Sequence, residues 1–165
     1  MDLTFDAATD VDAAEIAALR TAVAAHLTRR YGQGHWSSTA TEHGVARGMR
    51  TARVLVARES NRIVGTLALA TKKPWAIDPA CFTPVPKPLY LTDMAVDPSM
   101  QGRGIGRRLV AEAVATCRAV AADAIRLDAY DASAGAGEFY SKCGFRETGR
   151  AVFRNTPLIY FELLL

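Results

Sequence analysis

Residues 89–108 read LYLTDMAVDPSMQGRGIGRR, and this stretch is the strongest indication of the fold in the sequence. Its apolar residues from Leu89 to Val96 predict a strand, which Asp97-Pro98 ends. A glycine-rich turn, Gln101–Gly106, then leads into an amphipathic helix. Such a turn presents unpaired backbone N–H groups and the positive end of the helix dipole. The sequence therefore predicts an anion site that suits a phosphate or pyrophosphate group.

Three other interpretations of this turn fit the sequence less well than a phosphate site. A dinucleotide-binding turn reads G-x-G-x-x-G, but counting from Gly102 and Gly104 places Arg107 where the third glycine belongs. Asp128, roughly 20 residues further on, is the one feature that favours it. A P-loop needs Gly-Lys-Ser/Thr, which does not follow here. A plain strand–turn–helix connection is disfavoured because clustered glycines cost chain entropy.

Composition favours one soluble domain over residues 1–165, long enough to bury a full core. Half of the residues are apolar, 22% are charged and the net charge is +3. The arginines are scattered, so we expect no nucleic-acid partner. The longest apolar runs are too short to span a bilayer, so we expect no membrane partner. The N-terminus lacks a basic region followed by an apolar one, which favours a cytoplasmic location.

Cysteine and histidine spacing disfavours a disulfide framework and a metal site. Cys81, Cys117 and Cys143 are odd in number and show no C-x-x-C pattern. The three histidines lie in the N-terminal quarter without a metal-binding motif. We therefore expect reduced thiols and no metal.

Local patterns predict an α/β protein with a mixed sheet flanked by helices, in the order β-α-α-β-β-β-α-β-α-β-β. Asp10 is the predicted N-cap of the first helix, and Ser133 that of the last. The predicted elements are strand Leu3–Phe5, helix Asp10–Arg30, helix Thr39–Arg50, a hairpin of Arg53–Glu59 and Ile63–Thr71 around Ser60–Arg62, loop Lys72–Pro88, the strand and helix of the glycine motif ending near Ala122, strand Ala124–Tyr130, a short helix Ser133–Cys143 stopped by Gly144, and strands Arg146–Phe153 and Leu158–Leu164.

Two motifs in this order resemble the GNAT superfamily of acyl-CoA-dependent N-acyltransferases. The family signature Gln/Arg-x-x-Gly-x-Gly/Ala matches Gln101, Gly104 and Gly106. A second signature, a tyrosine followed by Gly-Phe, matches Tyr140 and Gly144-Phe145 within GEFYSKCGF. The resemblance covers nearly the whole chain in element order and is specific from about Leu89 to Phe145.

The resemblance implies acetyl-CoA as co-substrate. Its pyrophosphate would bind the N–H groups of the turn, and its peptide-like pantetheine arm would pair with the exposed backbone of the strand before it. The cofactor-binding residues that it implies are Met94, Ala95, Val96, Gln101, Gly102, Arg103, Gly104, Ile105, Gly106, Arg107, Ser133 and Tyr140.

The family reaction is direct attack by an amine on the thioester. Tyr140 matches the general acid that protonates the leaving thiolate, although it also fits a core aromatic residue. Asp93 is the nearest carboxylate for a general base, in a Leu-Thr-Asp stretch similar to the Leu-Glu-Asp of the polyamine-acetylating branch, with Thr92 replacing the glutamate. A structural role for Asp93, ordered water, Glu42 and Glu138 are the alternatives.

The resemblance implies that three segments recognise the acceptor: Tyr31–Trp36, the turn near Asn155 and the proline-rich Lys72–Pro88 loop. Trp75 and Phe82 in that loop would either line a pocket or anchor the loop. We expect a small-molecule amine as acceptor. A protein N-terminal or lysine acetyltransferase, a non-catalytic acyl-CoA-binding module and a nucleotide-binding regulatory domain are the rivals, and a homodimer is left open.

Overall fold

The structure, a computed structural model, describes residues 2–165, which form seven strands and four α-helices. The strands are β1 (Leu3–Ala7), β2 (Ala52–Glu59), β3 (Arg62–Ala70), β4 (Pro88–Val96), β5 (Ala124–Tyr130), β6 (Arg146–Phe153) and β7 (Thr156–Leu164). The helices are α1 (Ala13–Tyr31), α2 (Glu42–Gly48), α3 (Ile105–Ala119) and α4 (Gly137–Lys142).

All seven strands lie in one mixed sheet of order β1-β2-β3-β4-β5-β7-β6. Only β4 and β5 run parallel, and α3 connects them. Two tight hairpins join β2 to β3 and β6 to β7. Each has a two-residue turn with positive φ at both positions, Ser60-Asn61 and Arg154-Asn155. This turn type matches the twist of paired strands, so it fixes the register of both hairpins.

Helices cover both faces of the sheet, which confirms the predicted fold class. On one face α3 packs against β2–β5, and its buried Leu109, Ala113 and Cys117 belong to the largest core cluster. On the opposite face α1 and α2 pack against β3 and β4 through a second cluster that includes Ile16 and Val45. The loop between β3 and β4 covers the rest of that second face.

Three predicted helix boundaries were wrong. The first α-helix is preceded by a 3₁₀ turn at Asp10–Asp12, and it is Asp12, not Asp10, whose carboxylate accepts the Thr9 N–H at 2.8 Å. The second helix is confined to Glu42–Gly48, because Thr41 caps it by accepting the Gly44 N–H at 3.0 Å. The helix after the glycine motif ends at Ala119, earlier than Ala122.

Ser133 does not cap the last helix, so this predicted N-cap was wrong. Helix α4 begins only at Gly137, after Ala136, and Ser133 lies exposed in the preceding turn. The chain there passes so close to the end of β5 that a side chain on Gly135 would collide with the carbonyl oxygen of Tyr130. This close approach delays the helix.

A buried ion pair anchors the loop between β3 and β4. Arg126 on β5 and Glu162 on β7 lie 3.4 Å apart, with side chains only 5% and 1% exposed. Arg126 also donates to the Thr83 carbonyl at 2.6 Å, and Glu162 accepts the Thr83 N–H at 3.3 Å. Because both charged groups bind the same loop residue, the pair holds the loop on the sheet.

The two loop aromatics have different surroundings. Phe82 is buried, packs 5.3 Å from the Tyr160 ring and lies beneath the Arg126 guanidinium. It is therefore an anchor. Trp75 is 81% exposed and does not pack into the core.

We predict that Glu162→Gln lowers the free energy of unfolding by about 3–5 kcal/mol, because Arg126 would then be a buried charge without its counter-ion. Urea denaturation measures the loss. Glu138→Gln is the matched control, since that carboxylate pairs with Lys142 on the surface and its removal should change stability little. Equal stability of the two variants would contradict a role for the buried pair.

Candidate active site

Strand β4 separates from β5 after three residue pairs. Pro88–Tyr90 pair with Ala124–Arg126, and beyond Tyr90 the two strands have no further partners in each other. On the other side of β4, Asp93 has φ 54° and the register with β3 shifts between Thr66 and Ala68. An extra residue on one strand bends it, so this bulge directs the end of β4 away from β5. The resulting opening is called the β4–β5 gap below.

The glycine turn continues from the open end of β4. Asp97 holds its start, because the carboxylate accepts the Ser99 N–H at 2.9 Å and pairs with Arg62 at 2.6 Å. The Ser99 hydroxyl also donates to this carboxylate at 2.7 Å, and this bond, followed by the bond from Arg62 and the Ser99 N–H, keeps the pKa of Asp97 below its usual value. Gly102 and Gly104 have φ of +78° and +81°, and no atom lies within 4 Å of where a Cβ would be. The turn therefore leaves backbone open on one side at the N-terminus of α3.

A cavity of about 650 Å³ joins this turn to the gap. Ten of its lining residues are cofactor-binding residues predicted from the sequence: Met94, Ala95, Val96, Gln101, Gly102, Gly104, Ile105, Gly106, Arg107 and Tyr140. Six more were not predicted: Val23, Leu27, Met100, Ala134, Ala136 and Phe139. Arg103 and Ser133 are exposed and do not line it.

Gly106 lets the two walls of the cavity meet. A Cβ at this position would lie 3.2 Å from the Phe139 ring and 3.3 Å from the Met94 methyl group. These separations are tighter than an ordinary van der Waals contact, so a side chain at residue 106 would push Phe139 and Met94 outward by a few tenths of an ångström. The signature glycine thus has a packing role in addition to any role toward an anion.

Tyr140 lies at the inner end of the cavity. It is 6% exposed and its ring lies between Phe139, Phe145 and Phe161, at centroid distances of 5.2, 5.6 and 6.2 Å. The hydroxyl donates only to the Met94 sulfur, at 3.6 Å. Burial, with smaller effects from Cys143 and Asp128, raises the pKa of Tyr140 far above its usual value. The group is therefore a protonated donor with only a weak acceptor.

A second, smaller cavity of about 200 Å³ opens on the opposite face, between α1, α2 and strands β3 and β4. Thr92 and Asp93 line it, whereas Met94 lines the larger cavity. Consecutive residues of the bulge therefore open onto opposite faces of the sheet. The Asp93 carboxylate is half exposed and pairs with Arg20 of α1 at 2.8 Å.

Two polar residues near the gap escaped the sequence analysis as candidates for amine chemistry. Arg20, the partner of Asp93, carries no sequence signal because its contact spans two distant elements. Asp128 is partly buried on β5, and burial raises the pKa of its carboxyl group. The sequence does mark Asp128, because this carboxylate interrupts the apolar strand AIRLDAY. Its spacing from the glycine turn, however, indicates only a ribose ligand.

Two further properties of residues 2–165 concern the helices and the metal-ligating side chains. No helix among them has the length and apolar character needed to cross a bilayer. Within the same range, His, Cys, Asp and Glu side chains form no group of three or more suited to a metal ion.

Comparison with known sequences identifies the family. A sequence model described as the acetyltransferase (GNAT) domain matches residues 50–147, more than half of the chain. The chain belongs to the GNAT acetyltransferase family. The matched range includes the β4–β5 gap, the glycine turn and Tyr140, so the resemblance predicted from the two motifs is confirmed. No curated protein matches the sequence of this GNAT protein.

Solved structures similar to this GNAT protein extend over the whole chain. An N-acetyltransferase from Staphylococcus aureus Mu50 is 16% identical, with a TM-score of 0.74 and 99% of each chain covered. A GNAT-family acetyltransferase from Streptococcus pneumoniae is 16% identical, with a TM-score of 0.75 and the same coverage. The Salmonella typhimurium protein yncA, solved with its cofactor acetyl-CoA, is 18% identical, with a TM-score of 0.72 and coverage of 99% and 94%. At these identities the similarity confirms the fold.

Proposed function

We propose that residues 1–165 are a single-domain, acetyl-CoA-dependent N-acetyltransferase whose acceptor is the primary amine of a small molecule. The observation that carries the proposal is the 650 Å³ cavity between the glycine turn and the buried Tyr140 hydroxyl, which opens along the unpaired part of β4. A long cofactor suits this arrangement. Its anionic end fits the glycine turn, its peptide-like arm fits the unpaired part of β4, and its reactive end fits the Tyr140 hydroxyl. The yncA protein, which has the same fold, was solved with acetyl-CoA.

The cofactor pyrophosphate binds the glycine turn in this proposal, where first-turn N–H groups of α3 and Arg107 favour negative charge. Arg103, exposed on the same turn, adds long-range attraction. The pantetheine amides pair with the backbone of Met94–Val96, as an added strand would. The thioester then lies beside the gap, close to Tyr140.

We expect Gly104→Asp to abolish acetyl-CoA binding while the fold persists, because a carboxylate would project into the open side of the turn and repel the pyrophosphate. Isothermal titration calorimetry measures the affinity. Gly32→Asp is the control: Gly32 ends α1 with φ 82° and ψ 179°, a conformation that strains a side chain at least as much as the φ 81° and ψ 1° of Gly104, and it does not line the cavity. Unchanged affinity in folded Gly104→Asp would remove the anion site from the proposal.

The acetyl transfer itself proceeds by direct attack. The nitrogen lone pair forms a C–N bond to the thioester carbonyl carbon, the C–S bond breaks, and sulfur leaves with the bonding pair. Tyr140 donates its proton to that sulfur. The nitrogen loses a proton as the amide forms, and that proton restores the Tyr140 hydroxyl. A backbone N–H on β4 polarises the carbonyl group.

We predict that Tyr140→Phe lowers kcat by about 10²-fold or more while acetyl-CoA binding persists, because the ring keeps its packing and only the proton donor is lost. Thiol release under saturating acetyl-CoA measures kcat. Tyr90→Phe is the control and should keep kcat, because Tyr90 is buried, lines neither cavity, and loses only a hydroxyl that accepts a 3.4 Å hydrogen bond from Arg126. If Tyr140→Phe turns over at the wild-type rate, Tyr140 is a core aromatic residue and another group protonates the thiolate.

Asp93 is the proposed proton acceptor for the incoming ammonium group. Its half-exposed carboxylate lines the cavity opposite the cofactor. Arg20 binds Oδ1 at 2.8 Å, whereas Oδ2 accepts only a long hydrogen bond of 3.5 Å from the Thr92 hydroxyl, so Oδ2 is the oxygen that takes the proton. The proton then passes to solvent.

Asp93→Asn should lower kcat/KM at neutral pH by about 10²-fold, and part of the loss should return at high pH, where the amine is already neutral. The pH–rate profile and the melting temperature are measured on one preparation. Asp6→Asn, on the exposed side of β1, serves as the control. A pH-independent loss with a lowered melting temperature would assign Asp93 a structural role and leave deprotonation to water.

A small acceptor is favoured over a protein by the loop between β3 and β4. The Arg126–Glu162 pair binds it at Thr83, and the Tyr160 hydroxyl binds it at Ala76 and Asp78. In the proposal this fixed loop bounds the acceptor side of the gap, whereas a polypeptide acceptor needs a groove open at both ends.

A further inference from the structure

Strand β5 presents a row of polar side chains to the acceptor side of the gap. Ile125, Leu127 and Ala129 face the core under α3, so Arg126, Asp128 and Tyr130 point to the opposite face. The register with β7 agrees, since Asp128 lies opposite Tyr160 and Arg126 opposite its ion-pair partner Glu162. Asp128 lies two residues beyond the last pair of β5 with β4, directly beside the gap.

Every other acidic or polar group of this row has a partner. Arg126 and Glu162 neutralise each other, and the Tyr130 hydroxyl donates to the His35 carbonyl at 3.2 Å. Across the gap, Asp93 is neutralised by Arg20. Within residues 2–165 the Asp128 carboxylate accepts no hydrogen bond and forms no ion pair. It is thus an uncompensated negative charge on this face, and it lacks even the backbone hydrogen bond that the Asp78 carboxylate accepts from Ala80. A partly buried charge without a partner destabilises the fold.

Two aromatic residues lie next to Asp128 on this face, since Tyr130 is the following same-face residue of β5 and Trp36 packs on Tyr130. Tyr130 packs edge-on against Trp36 at a centroid distance of 5.9 Å. Burial, followed by the negative charges of Asp128 and Asp93, raises the pKa of Tyr130. The charge of Asp128 also contributes to the raised pKa of Tyr140 on the cofactor side. Tyrosine and tryptophan faces attract ammonium groups, so an ammonium ion bound by Asp128 would have both rings on its side of the sheet.

We propose that Asp128 is the counter-ion of the acceptor, so that the acceptor is a small alkylammonium ion held between Asp128, Tyr130 and Trp36 with its nitrogen at the β4–β5 gap. This inference rests on the proposed function and narrows it. An aromatic amine, which is neutral at pH 7, gains nothing from the carboxylate and is a poor ligand. The bond-making steps are those given above, and Asp128 acts as a specificity residue that binds the ammonium group before its deprotonation.

The first test uses melting temperature and needs no acceptor. Asp128→Asn removes a charge that has no partner, so the melting temperature should rise by about 2–4 °C. Asp131→Asn is the matched control, because that nearby carboxylate pairs with Arg150 at 3.2 Å on the surface and its loss should not stabilise the protein. A melting temperature lowered by Asp128→Asn would show that the carboxylate has a structural partner and would overturn the inference.

The second test measures cation binding to the full chain saturated with CoA, which cannot acetylate the probe. Calorimetry compares benzylamine hydrochloride with benzyl alcohol, its neutral counterpart of similar shape. The wild type and Asp131→Asn should bind the ammonium about 10-fold or more tightly than the alcohol, Asp128→Asn should bind both alike, and Asp128→Glu should retain part of the preference. A preference that persists in Asp128→Asn, or is missing in the wild type, overturns the inference.

The two tests also separate this inference from the proposed function. A wild-type protein that binds neither CoA nor acetyl-CoA counts against the proposed function, whatever the melting temperature of Asp128→Asn. A protein that binds CoA and acetylates amines, yet has no ammonium preference that depends on Asp128, keeps the proposed function and loses only the counter-ion.

Discussion

The separation of β4 from β5 is the constraint on which the site depends. Parallel neighbours would normally pair along their whole length, and unpaired backbone inside a sheet is costly. Here the bulge at Asp93 turns β4 away from its neighbour, while the Arg126–Glu162 pair and the Thr83 loop hold the closed end together. The open end keeps backbone groups available for a peptide-like ligand, and it provides the passage between the two faces of the sheet.

The two faces on either side of this passage differ in chemistry. On the α3 side the cavity is mostly apolar, and its Tyr140 hydroxyl stays protonated because burial disfavours the phenolate. On the other side the surface carries ion pairs, carbonyl-bound tyrosines and the unpaired charge of Asp128. A neutral proton donor and a negative surface are therefore separated by one layer of sheet. This separation suits a reaction in which a cation must lose a proton on one side and a thiolate must gain one on the other.

Much of this arrangement could be predicted from local sequence. Periodicity and turn residues predicted all seven strands, and β5 and β6 were predicted to the residue. The glycine turn was predictable because Gly102 and Gly104 have conformations that other residues adopt only with strain. The helix termini were less predictable. The start of α1 depends on the preceding 3₁₀ turn, in which Asp12 accepts the Thr9 N–H. The start of α4 depends on how closely residue 135 passes β5.

The element order, the family and the stretch that forms the cofactor side could be predicted from the sequence, because these depend on neighbours in the chain. The pairing of the charges, in contrast, depends on tertiary contacts. Arg20 meets Asp93 across 73 positions, and Arg126 meets Glu162 across 36. Asp128 stands out because, unlike Asp93 and Glu162, its carboxylate has no ion-pair partner among residues 2–165. Whether a carboxylate is compensated depends on contacts between distant segments, which no local pattern of residues encodes.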